Sequence, residues 1–125
     1  MRSDSLDPQA VTGRGVCVAL MFALVAERLT GFYDHGQWLT EAQGATLAAE
    51  WLARTKRQLP LDERRRISSL SDQLARQMAG SLSREAGLFT AHEMMEALDP
   101  NYQSEIGQTL MTECERLLDH GDDAP

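Results

Sequence analysis

The stretch Val16–Ala26, VCVALMFALVA, decides the fold. Eleven consecutive apolar residues are too few for a bilayer span, which takes about 20 residues. A helix that is apolar on every side has no face to give to water, so it belongs in the centre of a bundle. The alternative is the apolar core of an export signal. Two observations speak against it: the preceding charges are mixed in sign (Arg2, Asp4, Asp7, Arg14), and Ala23 and Ala26 only approximate a small-x-small cleavage site. The expectation is a buried central helix in a cytoplasmic protein, with export as the alternative.

Helical signals continue outward from this stretch. Asp7-Pro8 reads as an N-cap with proline at the first helical position, and Gly31 reads as the stop after Thr30. Gly31–Trp38 then reads as a loop anchored by Phe32, Tyr33 and Trp38. Thr40 and Gln43 form a capping box for a second helix, about Glu41 to Gln58, ended by Leu59-Pro60. A third begins near Asp62, where Ile67, Leu70, Leu74, Met78 and Leu82 recur at spacings of three and four, with Gly87 as its cap. Thr90 and Glu93 propose a short helix about Ala91 to Leu98. After Asp99-Pro100, a last helix carries Tyr102, Ile106, Leu110, Cys114 and Leu117, with Gly121 ending it. The fold class is therefore all-α: a single domain of about five helices, with only the ends 1–6 and 121–125 outside it.

The segment Leu88–Gly121, two capped helices around a tight break, resembles a helix-turn-helix unit, specifically the second and third helices of a winged-helix domain. That resemblance implies a hairpin of the last two helices and, in its DNA-binding form, a recognition helix at the chain's end. Charge opposes the DNA-binding form. Most duplex affinity comes from Lys and Arg at phosphates. The last helix instead displays Glu105, Glu113, Glu115 and Asp119 against the single base Arg116.

Charge is sorted along the whole chain. The protein carries a net −7, but residues 54–84 hold +5 and residues 85–125 hold −9. Arg57, Arg64, Arg65 and Arg66 flank the Leu59-Pro60 corner and form a candidate basic patch for nucleic acid or an acidic protein, weighed against an ordinary solvated face. No aromatic residue is interleaved with them to stack on bases. The acidic face Glu105, Glu113, Glu115 and Asp119 is the candidate surface for a basic partner. Phe32, Tyr33, Trp38 and Met94 are apolar contact candidates. Adjacent Met94 and Met95 cannot both face one core.

Chemistry-bearing motifs are few. His92, Glu93, Glu96 and Asp99 form the one dense cluster of metal-ligand types, but the His-Glu-x-x-His spacing fails and a solvated acidic face is expected. Cys17 and Cys114 each sit in an apolar stripe and read as separate buried thiols. With no phosphate loop or nucleophile elbow, the expectation is no catalytic, cofactor-binding or metal-binding residue. The function expected is a non-enzymatic acidic protein that binds a protein partner, as an inhibitor or adaptor acting on a basic, nucleic-acid-binding surface. A helix-turn-helix-like transcriptional regulator is the alternative. No membrane association is expected, and the apolar surfaces leave a homodimer open.

Overall fold

The computed structural model describes residues 8–97 and 105–122, with side chains over 14–96, at 105 and over 107–119. Five helices run in order: α1 (Pro8–His35), α2 (Glu41–Arg54), α3 (Leu61–Ala79), α4 (Arg84–Ala97) and α5 (Glu105–Asp122), with no strand among the described residues. The Asp7 cap, the Asp99-Pro100 break, Tyr102 and the two chain ends lie outside them, as does the side chain of Ile106.

Helix α1 is the axis of an all-α bundle and packs against each of the other four helices. Across Val16–Ala26 every residue is buried except Ala19, which itself packs on the core. Arg14–His35 is long and apolar enough to cross a membrane by length and composition, with a mean hydropathy of 1.7. In this structure that apolar surface is covered by the other four helices. Leu20, Met21, Phe22, Leu24 and Leu29 meet Ile67 and Leu74 of α3, Met94 of α4 and Cys114 of α5 within one core. The amphipathic stripe expected of α3 is present, with Ile67 and Leu74 buried and Leu70 and Met78 half-buried against the core.

Helix boundaries differ from the sequence reading in three parts of the chain and at the end of α5. First, α1 does not stop at Gly31. It continues to His35 and ends at Gly36, which has φ +70° and donates its N–H to the Phe32 carbonyl at 2.9 Å. Gly31 lies within the helix, and a Cβ there would stand 3.4 Å from the returning Gln37 carbonyl, an ordinary contact distance. Phe32 and Tyr33 are thus helical residues, not loop anchors.

Second, α2 closes at Arg54, four residues before Gln58. Lys56 takes φ 57°, and the bonds Arg57 N–H to Leu52 O (2.9 Å) and Lys56 N–H to Ala53 O (3.2 Å) complete a Schellman turn. The Thr40–Gln43 capping box at its start is present in both directions.

Third, Gly87 does not cap α3, which ends at Ala79 before Gly80. The fourth helix begins earlier than the Thr90 box proposes. Ser83 Oγ accepts the Ala86 N–H at 3.3 Å, and α4 runs from Arg84 through Gly87. Gly87 is required inside it, because any Cβ there would overlap the Tyr33 ring. At its far end α5 carries on through Gly121 to Asp122.

Candidate functional site

The fold buries a cation that no local motif announces. Arg28, in the apolar middle of α1, is 2% exposed. Burying an unpaired charge costs several kcal/mol, so its neighbours must answer it. Helix α3 presents Ser68, Ser71 and Asp72 for this purpose, three and four residues apart on one face. Arg28 Nε donates to Ser71 Oγ (3.1 Å), Nη2 donates to Ser68 Oγ (2.9 Å) and its carbonyl (3.3 Å), and Nη1 stands 3.5 Å from Asp72 Oδ1. Burial presses the guanidinium's pKa down, and the Asp72 carboxylate draws it back up.

The polar chain then runs outward to the surface. Asp72 Oδ2 accepts from Arg76 Nε at 2.9 Å. Arg76 lies 4.8 Å over the Trp38 ring, and Trp38 stacks on Phe32 with centroids 4.4 Å apart. Five side chains from α1, α3 and the α1–α2 connection are thereby held in one fixed order.

Beside this chain, α2 and α3 enclose a groove of about 920 Å³. From α2 it is lined by Ala42, Ala45 and Ala48, and from α3 by Arg64, Arg65, Ser68 and Ser69. Arg28, Asp72 and Arg76 border it, as does Glu41 in the first turn of α2. Gly44 sets how close α2 comes, since a Cβ there would stand 2.8 Å from Arg28 Nη2. The Arg64 Nε is buried and has no hydrogen-bond partner, the single such side-chain nitrogen or oxygen among the described residues.

The structure divides the expected basic patch. Arg64 and Arg65 line the groove, whereas Arg66 turns to the other side of α3, near Glu63 at 3.8 Å, and donates to the Leu118 carbonyl of α5. Arg57 is exposed in the α2–α3 connection and does not line the groove. Consecutive helical residues are about 100° apart, so an arginine triplet cannot stay on one face.

The acidic face is partly neutralised. Glu113 accepts a two-nitrogen clasp from Arg116 (2.7 Å at its shortest), which holds its carboxyl below the usual range. Asp119 pairs with Arg14 of α1 at 2.7 Å. Glu105 and Glu115 are exposed and form no ion pair among the described residues.

Two of the four apolar contact candidates are core residues, which corrects their expected place at the surface. Met94 is fully buried, and Tyr33 is buried with its hydroxyl donating to the Leu82 carbonyl at 3.4 Å. Phe32 and Trp38 are half-buried. Among the described residues the exposed large apolar side chains are Leu61, Met95 and above all Phe89, at 62%. Phe89 lies on α4 one turn from Glu85 and one turn from Glu93, with Glu96 a turn further along the same face.

Both cysteines are free and buried. Burial pushes the Cys17 thiol up to about 11, with help from Glu63, whose carboxylate accepts from it at 3.6 Å. It pushes Cys114 up to about 12. Neither is an activated nucleophile. Among the described residues no three His, Cys, Asp or Glu side chains converge on one point. The chain matches no protein family, no curated protein and no solved structure.

Proposed function

We propose that this protein is a non-enzymatic interaction module that docks a protein partner through its acidic α4 and α5 surfaces, acting as an inhibitor or adaptor on a basic, nucleic-acid-binding partner. The observation that carries this reading is Phe89. An aromatic side chain 62% exposed amid Glu85, Glu93 and Glu96 is the arrangement of an interface anchor ringed by charge. The exposed Glu105 and Glu115 of α5 add a field that steers a cationic partner to this side. Two free thiols fit a reducing, cytoplasmic setting.

The test is affinity capture followed by titration of the purified partner. Phe89→Ala is expected to weaken binding by tenfold or more, as hot-spot truncations of about 1.4 kcal/mol or more do. Reversing Glu113, Glu115 and Asp119 to Lys is expected to slow association and flatten its salt dependence. Retention on a DNA duplex at low salt, lost on substituting Arg64, Arg65 and Arg66, would instead favour the helix-turn-helix regulator.

A further inference from the structure

We propose that the groove between α2 and α3 is a binding site for a phosphorylated small molecule, whose oxyanion is neutralised by Arg64 and Arg65 and whose organic part rests on Ala42, Ala45 and Leu61. The site is separate from the acidic surfaces of α4 and α5 and does not depend on what they bind.

Charge is the first argument. Four guanidinium groups (Arg28, Arg64, Arg65, Arg76) line or border the groove against two carboxylates, Asp72 and Glu41. Asp72 is already shared between Arg28 and Arg76. Glu41 is exposed and forms no ion pair among the described residues. Arg64 and Arg65 therefore form no ion pair among the described residues, in a molecule whose net charge is −7.

The second argument is independent of charge. Buried donors are paired in the great majority of cases, and an orphan calls for an explanation. Arg64 Nε is such an orphan, and its side chain lines this groove. Nε itself is shut off from the groove, so a rotation of the Arg64 side chain towards a bound oxyanion would both give it an acceptor and bring the guanidinium onto the ligand. Guanidinium groups bind phosphate oxygens through paired N–H donors, with a geometry that a lysine point charge lacks. Ser69, on the same wall, adds a hydroxyl.

Size and shape choose among anions. A groove of about 920 Å³ falls within the range of small-molecule sites, roughly 300–1,000 Å³. Ala42, Ala45 and Leu61, all exposed, offer apolar surface that a bare inorganic ion would not use. A nucleic-acid strand requires a basic track beyond the groove, and the surrounding net charge repels a polyanion. A compact phosphorylated molecule meets the local surplus without that penalty.

The site also carries its own reporter. Arg76 borders the groove and covers Trp38, so a bound anion alters the surroundings of that indole. The experiment titrates the full chain with inorganic pyrophosphate and with adenosine triphosphate, read by calorimetry and tryptophan fluorescence. The control is sulfate at matched ionic strength. Saturable binding of either probe is expected, weakened at least about tenfold in Arg65→Gln and in Arg64→Gln, the loss typical of one charge-assisted pair. It is expected to be unchanged in Arg57→Gln, outside the groove. Arg65 is exposed, so R65Q keeps the fold even if R64Q disturbs it. Three results would overturn the proposal: no saturable binding of either probe, equal binding of sulfate, or binding indifferent to R65Q. So would a duplex or an acidic peptide that binds through Arg64 and Arg65 without competition from pyrophosphate.

Discussion

Gly44 of α2 and Arg28 of α1 are in such close register that a methyl group on Gly44 would stand 2.8 Å from Arg28 Nη2. Ser68 Oγ is nearly as close, at 3.3 Å from the same point. Arg28 cannot yield easily, because Ser68, Ser71 and Asp72 hold it on the far side. Gly44→Ala therefore sets two effects against each other. Alanine favours an exposed helix by about 1 kcal/mol over glycine, while overpacking typically costs about 1–3 kcal/mol. Packing is expected to win, with a lower urea midpoint and an unchanged m-value. A rise in the midpoint would mean that Arg28 leaves its seat.

Tyr33 and Gly87 make the tighter contact. The ring occupies the place of a side chain on α4, and Tyr33 has Phe32 edge-on at 5.2 Å and Arg84 bonded to its carbonyl at 2.9 Å. Gly87→Ala is expected to cost about 3 kcal/mol, the upper end of overpacking penalties. In a Tyr33→Ala background the same change is expected to cost little or to stabilise. The double-mutant cycle from denaturant melts measures this directly.

Lys56 is the one non-glycine residue with positive φ among the described residues. A left-handed backbone costs an L-residue roughly 1–2 kcal/mol, which glycine avoids. Lys56→Gly at the end of α2 is expected to raise stability by up to about 1 kcal/mol, since glycine also loses more entropy on folding. Thermal unfolding checks it. A loss would show that the lysine side chain contributes contacts exceeding that strain.

The buried thiols make stability sensitive to alkali. Both folded-state values are raised above the ordinary 9.0, Cys17 to about 11 and Cys114 to about 12. The folded chain thus holds these protons more tightly than the unfolded chain does. The contribution is fully present below pH 9 and is lost as pH rises through 11 and 12. Denaturant midpoints are expected to fall across that window, and less so in Cys114→Ala measured against its own neutral-pH value. Labelling by a thiol reagent at neutral pH is expected to be slow in the native protein and fast in urea.

What the sequence made legible was periodicity. The α3 stripe, the Thr40–Gln43 box and the apolar run of α1 are local patterns, and each gave an element in its proper place. Glycine misled. Gly31 and Gly87 read as punctuation, yet both lie inside helices, and at Gly87 the Tyr33 ring leaves no room for a side chain. A single chain does not distinguish a glycine kept for backbone freedom from one kept for space. The site was legible in composition only. The arginine triplet was conspicuous, but helical geometry sends Arg66 towards α5 and leaves Arg64 and Arg65 in the groove. Arg28 was invisible because its partners lie about forty residues away, at Ser68, Ser71 and Asp72. Phe89 was overlooked because exposure of one aromatic leaves no periodic trace.

The central position of α1 has a consequence for biogenesis. The helix that every other element leans on is also the first of the five to be synthesised, so nothing that covers it exists when it leaves the ribosome. Its apolar sides stay without cover until α3 and α4 follow. During that interval the nascent chain is expected to need chaperones that bind hydrophobic segments, and truncation before Leu61 is expected to leave a product prone to aggregate.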